Sequence, residues 1–203
     1  IYSRVESNGN QLLLEFQRYP ISIITYAACT GAVLAENLGF ITPLLTGEFK
    51  REHHQAEVAV EVFPPNRWLS HPQWGQLLDG MERRHTPVSD WLHNALQTEI
   101  SSHFSSAEDF TLCFDRAEIL IALGFLGHTD KSNWHDWHPT GAFGYRVENR
   151  HKIMKQLTAA LNGAGKAMLL ASRLFGVTDV ECLENLERFK VHADLVAREY
   201  RFR

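Results

Sequence analysis

The sequence predicts a mainly α fold, a single bundle of about seven helices with a small extended element near residues 57–63. Three observations carry this. The stretch Pro20–Ala35 (PISIITYAACTGAVLA) holds no charged residue, which suits a helix buried on all sides. Val88, Trp91, Leu92, Ala95, Leu96 and Ile100 recur at the three- and four-residue spacing of one helix face. Thr178-Asp179-Val180-Glu181 is a capping box, in which the threonine and the glutamate satisfy each other's backbone N–H groups at a helix start.

The elements follow in order. Residues 11–18 (QLLLEFQR) read as a short helix after Asn8-Gly9-Asn10. Pro20 suits the first turn of the core helix at 21–38, and Gly39 suits its end. ITPLLTG gives a short helix that stops at Gly47. From Glu57 to Phe63 the pattern alternates, with Val58, Val60 and Val62 on one side, which favours an edge strand or extended segment closed by Pro64-Pro65. Residues 73–80 suggest another short helix. Thr86-Pro87 caps the striped helix, whose Ser89, Asp90, His93, Asn94 and Gln97 are expected to face away from the core. Ser106 caps a second central helix at 107–126, with Glu108 and Asp109 in its positive first turn. Helices then run from Val147 to Leu161, from Lys166 to Phe175 with a stop at Gly176, and from Asp179 to Tyr200.

Bulk properties narrow the function. The chain has 203 residues and 44% hydrophobic content, enough for a real core in one domain. A formal net charge of −4 argues against coating nucleic acid. The sign is uneven, acidic up to residue 140 and basic after it, which suits mutual attraction of the two parts or an acidic partner. Cys29, Cys113 and Cys182 are far apart and sit in apolar patterns, as buried free thiols of a reducing compartment do; a cytoplasmic setting follows. The uncharged stretch is shorter than the roughly 20 residues that span a bilayer and contains Ser22, Thr25, Tyr26 and Thr30, so no membrane role is expected. The start at Ile1 suggests a fragment of a larger protein.

The densest chemistry lies in HTDKSNWHDWHP, His128–Pro139. His128, Asp130, His135, Asp136 and His138 are possible metal ligands. They lie in a loop, without the i, i+4 histidines of a helical metal site, so the plainer reading is a loop anchored by Trp134 and Trp137. His53-His54 reads as solvated surface. Arg146-Val-Glu-Asn-Arg-His151 has the RxxxxH spacing of HEPN ribonucleases, in which arginine would stabilise a phosphate and histidine would act as acid or base; that spacing has almost no specificity. There is no GxSxG, and GAGK at 163–166 lacks the rest of a phosphate loop. No cofactor is implied. In the last helix Cys182, Leu186, Phe189, Ala193, Val196 and Tyr200 form a seam that packs on its own domain or on a second copy through 180–200.

Several phrases taken together, RYPISIITYAACTGAVLAENLGFITPLL, ERRHTPVSDWLHNAL, FDRAEILIAL and PTGAFGYR, resemble a helical C-terminal region of large bacterial proteins. Those proteins carry an N-terminal effector or NTPase module, SIR2-like or Schlafen/AlbA-like, and some serve phage defence. None of the phrases is a catalytic motif. The resemblance implies a non-catalytic interaction or regulatory module whose first partner is the preceding effector domain. The alternative is a helical hydrolase or ribonuclease that uses Arg146 and His151 with the loop at 128–138.

Overall fold

A computed structural model describes residues 19–49, 57–62, 77–128 and 139–201. Among them are α1 (Tyr19–Leu34), α2 (Leu38–Thr46), β1 (Glu48–Phe49), β2 (Glu57–Val58), a single helical turn α3 (Ala59–Val62), α4 (Pro87–Ile100), α5 (Ala107–His128), α6 (Val147–Leu161), α7 (Lys166–Ser172) and α8 (Asp179–Arg201). Short 3-10 turns sit at Ser101–His103 and Ala142–Gly144. Setting aside the single turn α3, that makes seven helices, a mainly α bundle as the sequence predicts.

The hub is α5. Ser106 caps it through the Asp109 amide at 3.1 Å, and Glu108 and Asp109 occupy its first turn. From Phe114 onward nearly every side chain is buried, because α1, α2, α3, α4, α6 and α8 all pack around it. Gly127 lets the chain after α7 close on this helix: a Cβ there would lie 2.7 Å from the Phe175 Cα. The last helix lays its seam inward. Cys182, Leu186, Phe189 and Ala193 are buried, and the Phe189 ring rests 5.4 Å from that of Phe143. The seam therefore has an internal partner; the Tyr200 side chain lies outside the described part. Arg150 of α6 fastens the same helix, donating to the Ala193 carbonyl at 2.8 Å and to Asp194 at 2.7 Å. Asp194 is thus taken by α6.

Three expectations need correction. The core helix ends at Leu34, not near Gly39, and Gly39 lies inside α2. Glu36 turns the chain at φ 52°, with the Asn37 amide bonded to the Ala32 carbonyl at 2.9 Å and the Glu36 amide to Val33 at 3.1 Å. Likewise α7 stops at Ser172, because Arg173 takes φ 52° and sends Leu174 and Phe175 into the core. The extended element is also shorter than the alternating pattern suggests. Only Glu57–Val58 pair, antiparallel to Glu48–Phe49, and the chain coils at once into α3. Neighbours Ala59 and Val60 are both buried, which a helical turn permits and a strand with one buried face does not. Of the helix expected at 73–80, only 77–80 are described; Leu77 is helical and 78–80 turn, with Gly80 at φ 74°. The expected helix at 11–18, His53-His54, Phe63, Trp134 and Trp137 lie outside the described residues.

Candidate functional site

Polar side chains converge where α4, α5, the segment 139–146 and the start of α6 meet. Asp115 and Glu118 are three residues apart and so share one face of α5. Ser89 and Asp90 come from the first turn of α4, which Pro87 opens; Thr86 precedes it without the expected side-chain cap bond, its hydroxyl turned to Asp90 instead. The Ala142 amide donates to Ser89 Oγ at 2.9 Å, and the Ser89 hydroxyl donates to Glu118 Oε1 at 2.5 Å. Arg146 and Asn149 donate to the two oxygens of Asp115, each at 2.7 Å. The Tyr145 and Thr86 hydroxyls donate to Asp90. His93, one turn beyond Ser89, bonds Thr111 through Nε2 at 3.0 Å.

This corrects the expected outer face of α4. Ser89, Asp90 and His93 are buried; Asn94 alone of the expected set is exposed, and Gln97 is half-buried. The helix has an apolar face toward the core and a polar face toward a second layer, the segment 139–146.

Burial sets the electrostatics. It pushes Glu118 up to about 8, an effect that the Ser89 hydroxyl only partly offsets. It also raises Asp115, against the pull of Arg146 and Asn149. Tyr26 and Tyr145 are raised by burial and then by Glu118 and Asp90 respectively. Burial lowers His93, with Arg146 as the second cause.

These shifts predict a pH dependence. Glu118 has an ordinary value of 4.5 in the unfolded chain and about 8 in the fold, so folding takes up a proton between those limits. Its contribution to stability is full below the lower value, declines as pH rises toward 8, and is constant above. His93 works the other way at acid pH, where a lowered histidine weakens the fold. Comparison with Glu118→Gln isolates the carboxyl: between pH 6 and 8 the variant should gain on the wild type by up to about 1.4 kcal/mol per pH unit. Urea unfolding at several pH values reads this directly. A difference independent of pH would contradict the assignment.

A carboxyl with a near-neutral pKa beside a hydroxyl has the makings of acid–base chemistry. Access decides against it. Ser89 is 6% exposed, Asp90 5%, Glu118 2% and Asp115 0%. The Gly141 Cα lies directly on the Glu118 carboxyl, where a Cβ would meet Oε1 at 2.1 Å. The cluster is a sealed clasp that locks 139–146 onto α4 and α5.

An open cleft lies elsewhere among the described residues. It measures about 400 Å³ and runs between α6 and α8, with Met154, Leu183, Leu186 and Phe189 among its lining and the exposed His151 and Lys155 on one rim. From Leu183 at the edge of the cleft, the outer face of α8 continues with the exposed Val180, Val191 and Leu195, away from the buried seam.

The residues singled out in the sequence are distributed as follows. Arg146 belongs to the clasp through Asp115, while His151 stands in the cleft; five helical residues turn the chain by about 140°, so the two are not brought to one point. His128 ends α5 and donates from Nε2 to the Arg173 carbonyl at 3.0 Å. Asp130, His135, Asp136 and His138 lie outside the described residues. Among the described residues no three His, Cys, Asp or Glu side chains gather as a metal ion would need. No helix among them is long and apolar enough to cross a membrane. Burial pushes the Cys29 thiol up to about 12 and Cys182 to about 11, so neither supplies a thiolate. What the sequence reading passed over is the pair Asp115 and Glu118, two carboxylates within an otherwise apolar helix, and Arg150, read only as a spacer in RxxxxH. No family model matches the chain, and neither a curated protein nor a solved structure is significantly similar to it.

Proposed function

We propose that this chain is a non-catalytic interaction or regulatory module of a larger intracellular bacterial protein. The observation that carries the reading is a separation. The perturbed carboxyls Asp115 and Glu118 are sealed in the clasp, whereas the open cleft has the chemistry of binding: apolar side chains rimmed by amines. Catalysis needs both in one place. The outer face of α8 suits contact with another polypeptide, because Val180, Leu183, Val191 and Leu195 are 43–64% exposed along one side of a helix whose other side already fills the core. A preceding effector domain, the partner implied by the shared bacterial phrases, and a second copy of the chain are the two partners this face suits.

Site-specific photo-crosslinking in the source cell tests this. A photoreactive residue in place of Leu195 should capture a polypeptide, and one in place of the exposed Thr98 on α4 should not. No capture at Leu195, together with RNA cleavage by the purified chain that His151→Ala abolishes, would replace the module with the hydrolytic reading.

A further inference from the structure

We propose that the α6–α8 cleft is a docking groove for an acidic amphipathic segment of a partner protein, which seats a large apolar side chain on Met154 and Leu183 and sets carboxylates against Lys155 and Lys190. The proposal rests on the interaction-module reading and names the chemistry of the partner.

Charge decides the occupant. The groove has two carboxylates of its own, and both face cations: Asp194 is bound by Arg150 at 2.7 Å, and Glu187 lies 3.8 Å from Lys190. On the opposite wall, α6 presents His151 and Lys155 one helical turn apart. Lys155 has no carboxylate within ion-pair distance among the described residues. Lys155, which no carboxylate faces, and Lys190, whose 3.8 Å contact with Glu187 is exposed on both sides, stand above an apolar floor; they favour an apolar segment flanked by carboxylates, the pattern by which an amphipathic helix is read in a groove. A small ligand suits the site less well. Leu183, Glu187, Lys190 and Lys155 are all exposed, so the groove stays open along its rim, whereas small-molecule sites enclose most of the ligand. Single-stranded nucleic acid would require aromatic faces for stacking, and the one aromatic ring of the lining, Phe189, is fully buried.

The experiment uses the full chain as bait for a displayed library of helical peptides. Enriched sequences should be net acidic, with a Leu, Met or Phe repeated every three or four positions. Their affinity, measured by fluorescence anisotropy, should fall at least about tenfold in Lys155→Glu/Lys190→Glu. The same peptides with lysine in place of each acidic residue should recover binding to that variant. Both positions are exposed, so the variant should keep the wild-type melting temperature. Enrichment of basic or neutral peptides, binding that ignores the charge reversal, no enrichment at all, or tighter binding of an oligouridine probe than of the acidic peptides would each overturn the groove assignment. Binders indifferent to the reversal would remove the groove and leave the module reading standing; loss of capture at Leu195 would remove the module reading itself.

Discussion

Gly141→Ala should destabilise the fold by about 2–5 kcal/mol, the sum of an overpacked core and a broken buried hydrogen bond. The backbone at Gly141 is extended, so conformational strain is not the cause. The cause is the Glu118 carboxyl, which occupies the space that a Cβ would enter. In an exposed site a glutamate would swing aside. Here the carboxyl is buried among α1, α4 and the Ala142–Gly144 turn, and moving it gives up the Ser89 hydroxyl. A double-mutant cycle separates this from a general effect on the turn. Glu118→Ala removes the obstructing atoms, so Gly141→Ala on that background should cost markedly less than on the wild type. Equal costs on both backgrounds would mean that the contact does not decide the residue at 141. Denaturant unfolding with an unchanged m-value is the readout.

Asp115→Ala should cost about 3 kcal/mol, at the lower end of the range for breaking a buried ion pair. The carboxylate is fully buried and accepts from both Arg146 and Asn149. Its loss strands a guanidinium and an amide against an apolar helix. The Arg146 side chain is 20% exposed, so water recovers part of its solvation, and for that reason the upper end of the range does not apply. Removing the whole pair should be gentler than removing one member: Asp115→Leu/Arg146→Met should be more stable than Asp115→Ala. A single variant as stable as the wild type would show that Asp115 does not hold the segment 139–146.

Much of the fold is legible in the sequence because its helices carry explicit punctuation. Thr178 and Glu181 bond each other's backbones as a capping box, with Glu181 accepting from the Thr178 amide at 3.1 Å and Thr178 from the Glu181 amide at 3.3 Å. Pro87 opens α4, Ser106 opens α5, and Asn162-Gly163 closes α6. The two misplaced helix ends share one cause. Both expectations wait for a glycine, Gly39 or Gly176, while the chain turns earlier on a non-glycine residue in the left-handed region, Glu36 or Arg173. That conformation costs an L-residue about 1–2 kcal/mol, so residue type gives little warning of it; packing of the following residues supplies the compensation.

The candidate site is less legible. The polar residues of α4 follow the same period as its apolar stripe, so a face buried in a polar layer and a face in water read alike. The available signal was in α5, where Asp115 and Glu118 interrupt an apolar run that could not leave them in solvent. Polar groups there need partners: Arg146, at the end of PTGAFGYR, supplies one to Asp115, and Ser89 of α4 supplies one to Glu118. Arg146 is prominent in the sequence for its spacing to His151, yet its partner is Asp115, set by tertiary packing across the bundle. The groove is not legible for a similar reason: its walls come from α6 and α8, separated in sequence.

Carboxyl footprinting with a carbodiimide and glycine ethyl ester, read residue by residue by mass spectrometry, tests most directly whether the perturbed carboxylates are sealed structure rather than an open site. Glu187, whose side chain is 67% exposed, should label at a surface rate under native conditions. Asp90, Asp115 and Glu118 should label only through unfolding, together and at the rate set by the global stability. Labelling of Asp115 or Glu118 in the folded protein at a rate near that of Glu187 would show that the cluster is open to small molecules and would contradict the account.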